Sequence, residues 1–129
     1  MPTNLRERGE WRQFDKDALL FAIGDCPKNI YFIVQGEVRL RRHTLEGTEM
    51  VMQRARNTFL AEASLESATY HCDAIVSEAV LALAFPVSDF RIALTDCPNF
   101  RTKWISHLLR EVRRARAQVL LQLGDSSRV

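Results

Sequence analysis

Short apolar runs alternate with turn-forming residues along the first two thirds of the chain. Residues 30–34 (IYFIV) form one continuous apolar run, and Val38 and Leu40 then alternate with charged residues. The continuous run is typical of a buried strand and the alternation of a half-buried one. Residues 35–37 are predicted to form a tight turn between the two. Because turn signals recur about every 8 to 12 residues as far as residue 85, the pattern predicts a sandwich or barrel.

A hairpin, two further strands and two short helices are predicted between residues 46 and 94. Glu46 and Gly47 lie between two strand-like runs, which indicates a hairpin whose second strand covers residues 50–53. Residues 73–77 and 79–85 are predicted to be two more strands. The Ala, Leu and Glu content of residues 59–66 favours a short helix. A second short helix is predicted over residues 87–94.

The pattern changes after residue 98. Residues 99–123 contain neither Gly nor Pro, which predicts one long helix that ends at residues 124–127. Small or apolar residues recur along it at steps of three and four: Ile105, Leu108, Val112, Ala115 and Val119. This seam is typical of paired helices and predicts a homodimer. A second apolar line, which includes Trp104 and Leu109, lies on neighbouring faces and is expected to pack on the chain's own domain. Packing on that domain alone, without a partner, is the alternative.

Composition narrows the class of protein without naming a function. The 129 residues are 47% hydrophobic and carry a net charge of +2. Residues 97–129 contain seven basic and two acidic groups, so the C-terminal part of the chain is positively charged. No apolar run approaches the roughly 18 residues that span a bilayer, and residues 1–13 lack the apolar stretch of a signal peptide. A cytoplasmic protein without membrane contact is therefore expected. Three widely spaced cysteines, Cys26, Cys72 and Cys97, indicate free thiols rather than a disulfide framework.

Three motifs in order resemble the CRP/FNR family of bacterial transcription regulators. Residues 21–25 (FAIGD) with 30–38 (IYFIVQGEV) resemble the opening turns of the family's β-roll. Residues 46–49 (EGTE) resemble its hairpin, and residues 59–65 (FLAEASL) resemble its phosphate-binding cassette. The resemblance implies a mainly β double-stranded β-helix, a jelly-roll of the cyclic-nucleotide-binding type, followed by a long C-terminal α-helix.

The same resemblance implies a division of the chain and a binding partner outside it. Residues 1–96 would form the β-roll effector domain with short flanking helices, and residues 97–124 the dimerisation helix. Residues 125–129 would begin the linker to a helix-turn-helix domain that this chain lacks. DNA would then be bound only through that second domain. The chain is expected to be either part of a longer regulator or a natural half-protein.

The cassette departs from the family's pattern at the positions that hold a cyclic phosphate. The resemblance places the ribose-binding carboxylate at Glu62, within the candidate ligand-binding positions Ala61, Glu62, Ala63 and Ser64. The family's arginine and hydroxyl would fall at Cys72 and Asp73, and its cassette glycine is replaced by Ala61. A carboxylate beside the phosphate and the loss of a charged hydrogen bond together cost roughly 4 kcal/mol, or about a thousandfold in affinity. Tight binding of cAMP or cGMP is therefore not expected, and the effector stays unknown.

On the long helix, the family's base-contacting positions align with Ala115 and Arg116. Ala115 has no hydrogen-bond donor for a purine, whereas the Arg116 guanidinium could stack on a base or bind an anion. A solvated arginine is the simpler interpretation.

Two other functional classes stay open. A haem or redox sensor could use His71 and Cys72, although adjacent residues of a strand point to opposite faces. The chain could also be a stand-alone dimerisation or interaction module without any ligand. No Ser-His-Asp arrangement, P-loop or metal-binding cluster is visible in the sequence, so neither an enzyme nor a metal site is expected.

Overall fold

Six antiparallel strands form one sheet in a computed structural model that describes residues 2–60, 62–65 and 67–127. The strands are β1 (Glu10–Phe14), β2 (Leu19–Phe21), β3 (Asn29–His43), β4 (Glu49–Ala55), β5 (Phe59–Leu60) and β6 (Asp73–Pro86). The helices are α1 (Thr3–Arg8), α2 (Val87–Asp96) and α3 (Pro98–Ser127), with a 3₁₀ turn at Glu62–Leu65. The mainly β class, the helix after β6 and the long C-terminal helix are confirmed.

The sheet is built around its two longest strands. Its order is β1-β6-β3-β4, with β2 also paired to β6 and β5 to β3. The β3–β4 connection is the predicted hairpin, in which the Thr44 N–H donates to the Thr48 carbonyl at 2.8 Å. Gly47 has φ +85°, a conformation that residues without a Cβ adopt at little cost. Because β6 pairs with β1 and β2 as well as with β3, it lies at the centre of the sheet.

Strands β3 and β6 are longer than the sequence pattern predicts. The turn predicted at residues 35–37 is wrong, because β3 continues from Asn29–His43 without reversing. Gly36 takes φ +83° there and the pairing register with β6 shifts on both sides of it. The two strands predicted at 73–77 and 79–85 are likewise one strand, β6. The polar residues that looked like breaks lie instead at bulges within continuous strands.

The helix predicted over residues 59–66 is also wrong in its first part. Phe59 and Leu60 pair with Phe32 and Tyr31 of β3, so tertiary pairing overrides the local helix propensity. Only the four residues Glu62–Leu65 are helical, as a 3₁₀ turn. Ala61 and Glu66 lie outside the described residues.

Two hydrophobic cores divide the interior. The first comes from strands β2 to β6 and includes Val38, Leu40 and Val76, which face one another between paired strands. The second lies between the sheet and the three helices, where Phe85 meets the aromatic side chains of α2 and α3. Phe90, for example, lies 4.7 Å from Trp104 between ring centroids. This second core fixes the N-terminal half of α3 against the sheet.

The α3 helix begins at Pro98, where a missing N–H costs nothing, and runs as far as Ser127. It thus continues through residues 124–127, which were predicted to end it, because a single glycine lowers helix stability by only about 1 kcal/mol. The short α1 helix, which the polar N-terminal sequence did not predict, places Leu5 in the second core. Both differences lie at the ends of the chain.

Candidate effector site

Glu62 of the cassette turn contacts the long helix. Its Oε1 lies 3.0 Å from Nε2 of His107, and the two side chains are only 16% and 10% exposed. His107 is held in turn by the Phe59 and Trp104 rings, at centroid distances of 5.5 and 5.0 Å. The carboxylate that the resemblance assigns to a ribose hydroxyl is therefore engaged by a side chain of α3.

A cavity of about 740 Å³ lies beside this contact. It is lined by Glu62, Leu65, Ser67, Arg91, Leu94, Thr95, Trp104 and Leu108. The Arg91 guanidinium donates to the Leu65 carbonyl and ties α2 to the cassette turn. This lining does not include Cys72 or Asp73.

Asp73, at the start of β6, has partners of its own. Its Oδ1 accepts a hydrogen bond from the Ile23 N–H at 2.8 Å, and its Oδ2 lies 3.8 Å from Nε of Arg41. Arg41 also lies 3.9 Å from the Glu49 carboxylate. The position assigned to a phosphate-binding hydroxyl thus carries a negative charge that an internal arginine partly offsets.

Cys72 is half-buried against the first core. Burial, and secondarily the charge of Asp73, raises the pKa of the Cys72 thiol, so the reactive thiolate is disfavoured at neutral pH. The neighbouring His71 is exposed, with Nε2 3.4 Å from the Ser67 hydroxyl. Among the described residues, no group of three His, Cys, Asp or Glu side chains is placed to hold a metal ion.

The candidate ligand-binding residues therefore separate into two places. Glu62 faces α3, whereas Asp73 faces the loop at Ile23 and strand β3. Ala63 and Ser64 lie in the 3₁₀ turn with Glu62, and Ala61 lies outside the described residues. The Glu62–His107 contact joins residues 45 positions apart, which no local sequence pattern signals.

The α3 helix has two distinct faces. Trp104 and His107 are buried against the second core, and Leu108 packs there too. The other face leaves large apolar side chains about half exposed, namely Ile105, Leu109, Val112 and Val119. Leu108, expected on the partner-facing seam, thus contacts its own domain, and Leu109 takes its place on the exposed face.

Ala115 and Arg116 also differ in their surroundings. Ala115 is exposed and lines a groove of about 540 Å³ between α3 and β4, beside Met52 and Glu111. A hydrogen bond of 3.0 Å from Gln53 to Glu111 closes one part of this groove. Arg116 is exposed, and its spacing from Val112 and Val119 places it on the outward face.

Residues 11–97, more than half of the chain, match the model of the cyclic nucleotide-binding domain family. The chain therefore belongs to this family. It is also 33% identical over 92 residues to an uncharacterized protein of Haemophilus influenzae, a match that covers 67% of this chain and 70% of that protein.

Solved structures of transcription regulators share the fold. The sensor domain of the regulator DNR from Pseudomonas aeruginosa is similar with a TM-score of 0.73 at 20% identity, over 86% of this chain and 76% of that one. The Thermus thermophilus catabolite activator protein is similar with a TM-score of 0.74 at 23% identity. That match covers 90% of this chain but 55% of the other. The jelly-roll architecture and the cyclic-nucleotide-binding type of domain, both predicted from the three motifs, are confirmed.

Proposed function

We propose that this chain is the effector-sensing and dimerising domain of a bacterial transcription regulator. In this domain the phosphate-binding cassette does not bind a cyclic phosphate tightly. Family membership supports a regulatory rather than a catalytic role. In this proposal DNA is contacted by a separate helix-turn-helix domain, and the protein acts in the cytoplasm. No described helix is long and apolar enough to cross a membrane.

The observation that carries the cassette part of this proposal is the environment of Asp73. A cyclic phosphate needs fixed donors, such as an arginine fork, and a hydroxyl at this place. Cys72 offers no cation, and the Asp73 carboxylate would lie against the phosphate. The Ile23 N–H already donates to that carboxylate and Arg41 lies within ion-pair distance of it, so a phosphate would have to displace these contacts as well as overcome the charge of Asp73.

The exposed face of α3 supports the dimerising part. Ile105, Leu109, Val112 and Val119 recur at steps of four, three and seven, which is the spacing of a coiled-coil seam. A row of half-exposed aliphatic side chains on one face is a surface that a partner helix buries. Arg116 would lie within that seam and favour one register of the pair.

The raised pKa of Cys72 argues against the redox-sensor alternative. A thiol switch reacts as the thiolate, so a half-buried thiol whose pKa is raised supports an inert cysteine better than a redox sensor. A dimerisation module without any effector would share the α3 face, and it differs from the proposed sensor only in binding no small molecule.

Calorimetric titration of the chain with cAMP and with cGMP tests the cassette. We expect no saturation below about 100 µM nucleotide, since the cost of roughly 4 kcal/mol weakens binding about a thousandfold. The exchange Cys72→Arg/Asp73→Ser restores the family's residues and is expected to tighten cAMP binding at least tenfold. Saturable binding of either nucleotide by the unmodified chain in the low micromolar range would contradict the proposal.

The matched control is Cys26→Arg/Asp15→Ser. It makes the same change of charge at two exposed positions, so a non-specific gain of affinity for an anion appears there too. Only a gain confined to the exchange at residues 72 and 73 supports the assignment of these positions.

A further inference from the structure

A second cavity, of about 570 Å³, lies between the sheet and the N-terminal half of α3. Strands β3, β5 and β6 supply one wall and α3 the other, and the apolar lining is Phe32, Val34, Phe59, Leu83, Phe100 and Trp104. Its volume falls in the range of small-molecule sites in proteins. The lining includes neither Glu62 nor Cys72 nor Asp73, so this cavity is separate from the cassette positions.

The charged groups around this cavity all have one sign. Lys103 and Arg110 line it from α3 and Arg6 from α1, and no carboxylate is among its described lining residues. Neither Lys103 nor Arg110 has an ion-pair partner in the part of the chain that the structure describes. The two remaining polar side chains of the loop before β5, those of Asn57 and Thr58, are neutral. Positive charge over an apolar floor favours a ligand with an anionic end and an apolar body.

His107 does not reverse this charge balance. It lines the cavity, but its Nε2 is held by Glu62, which belongs to the neighbouring cavity.

Lys103 and Arg110 are seven residues apart on one face of α3, a rise of about 10 Å. Their long side chains can therefore approach one anionic group from opposite ends of the opening.

We propose that this cavity is a binding site for a small aliphatic carboxylate, of the size of a medium-chain fatty acid. The aliphatic chain would lie on the aromatic and branched side chains, and the carboxylate would pair with Lys103, Arg110 or both. The aromatic rings of the lining already pair edge to face, with Phe59 4.9 Å from Phe32 and 5.0 Å from Trp104 between centroids. A flexible chain follows such an irregular wall better than a flat ring system does. The site does not depend on the cassette, so its test is independent of the nucleotide titration.

Trp104 provides the readout because it lines the cavity, whereas the only other tryptophan, Trp11, is 61% exposed on β1. In the Trp11→Phe variant, fluorescence reports on Trp104 alone. We expect decanoate to change it saturably, decan-1-ol to bind at least tenfold more weakly, and inorganic phosphate to have no effect. Calorimetry with decanoate on the unmodified chain checks that the signal is binding.

The cations are tested by Lys103→Gln/Arg110→Gln, and each single exchange shows which one pairs with the carboxylate. The double variant is expected to lose at least tenfold in decanoate affinity while decan-1-ol affinity stays unchanged. Lys16→Gln/Arg113→Gln removes two exposed charges that do not line the cavity and is expected to bind decanoate as the parent does. Absence of saturation, equal affinity for acid and alcohol, or an equal loss in the control pair would overturn the proposal.

Discussion

Glu37 is a carboxylate that is only 8% exposed, on the face of β3 opposite to Val38. Arg54 and Arg56 donate to its two oxygens at 3.0 and 2.9 Å. Arg56 also binds Glu78, which lies opposite Glu37 in the β3–β6 register, so one guanidinium separates two like charges. Burial opposes the charged form of Glu37, but the hydrogen bonds from the two arginines outweigh it and lower its pKa.

The exchange Glu37→Gln is expected to lower the free energy of unfolding at pH 7 by about 1 to 2 kcal/mol, because charged hydrogen bonds are lost. A carboxylate whose pKa is lowered in the folded state stabilises it above the unfolded pKa, near 4.5. This contribution is lost as the pH falls through the folded pKa. The difference between variant and parent should therefore shrink below pH 4.5.

Urea unfolding at a series of pH values from 7 down to 3 measures this difference. Glu46→Gln, an exposed carboxylate of the β3–β4 hairpin turn, is the matched control and should show almost no difference at any pH. A Glu37→Gln difference that is constant with pH would contradict the role given to the two arginines.

At the scale of single residues, the sequence did not indicate the environment of Glu37. It placed residues 35–37 in a turn beside the alternation of Val38 and Leu40, whereas the structure buries the Glu37 carboxylate within a continuous strand. Its burial follows from Arg54 of β4 and from Arg56 just after that strand, which tertiary pairing brings to it. Likewise, nothing local to Glu62 indicated that His107 would meet it.

The β3 strand depends on a glycine at its middle. Gly36 has φ +83°, and a Cβ there would lie well inside contact distance of the Glu78 and Ala79 carbonyl oxygens of β6. Because the atoms that a Cβ would meet belong to the backbone of β6, neither strand can move away at low energetic cost. The bulged pairing that keeps β3 continuous therefore requires a residue without a side chain.

Gly36→Ala is expected to cost about 3 kcal/mol or more of unfolding free energy, since strain and steric overlap add. Gly47→Ala is the matched control, with nearly the same φ of +85° but nothing within 4 Å of its Cβ, and should cost only about 1 kcal/mol. Chemical denaturation compares the two variants. Equal losses would show that conformational strain alone, without contact to β6, decides the role of Gly36.

At the scale of elements, the sequence predicted the β3–β4 hairpin, α2 and α3, but it missed α1, included β5 in a helix and divided the two long strands. Glycine and polar residues within β3 and β6 have the composition of turns, and only pairing with a neighbouring strand distinguishes a bulge from a reversal. The long helix was easier to predict because its periodicity extends over many turns.

The two faces of α3 connect the domain to its proposed partner. Trp104, His107 and Leu108 fit into the second core and so fix the rotation of the helix about its axis. That rotation turns Leu109, not Leu108, outward beside Ile105 and Val112. The sequence showed both apolar lines, but it could not assign the two leucines, because adjacent residues differ by only about 100° around a helix.

The dimer is the central claim that concerns the whole molecule, and sedimentation velocity tests it most directly. At about 50 µM the unmodified chain should sediment as a dimer, and Val112→Glu should sediment as a monomer, because two carboxylates would face each other in the seam. Ile92→Glu replaces an apolar residue on α2 that is at least as exposed as Val112 and should stay dimeric. An unmodified chain that is monomeric at this concentration, or a Val112→Glu variant that associates as strongly as the parent, would contradict the account.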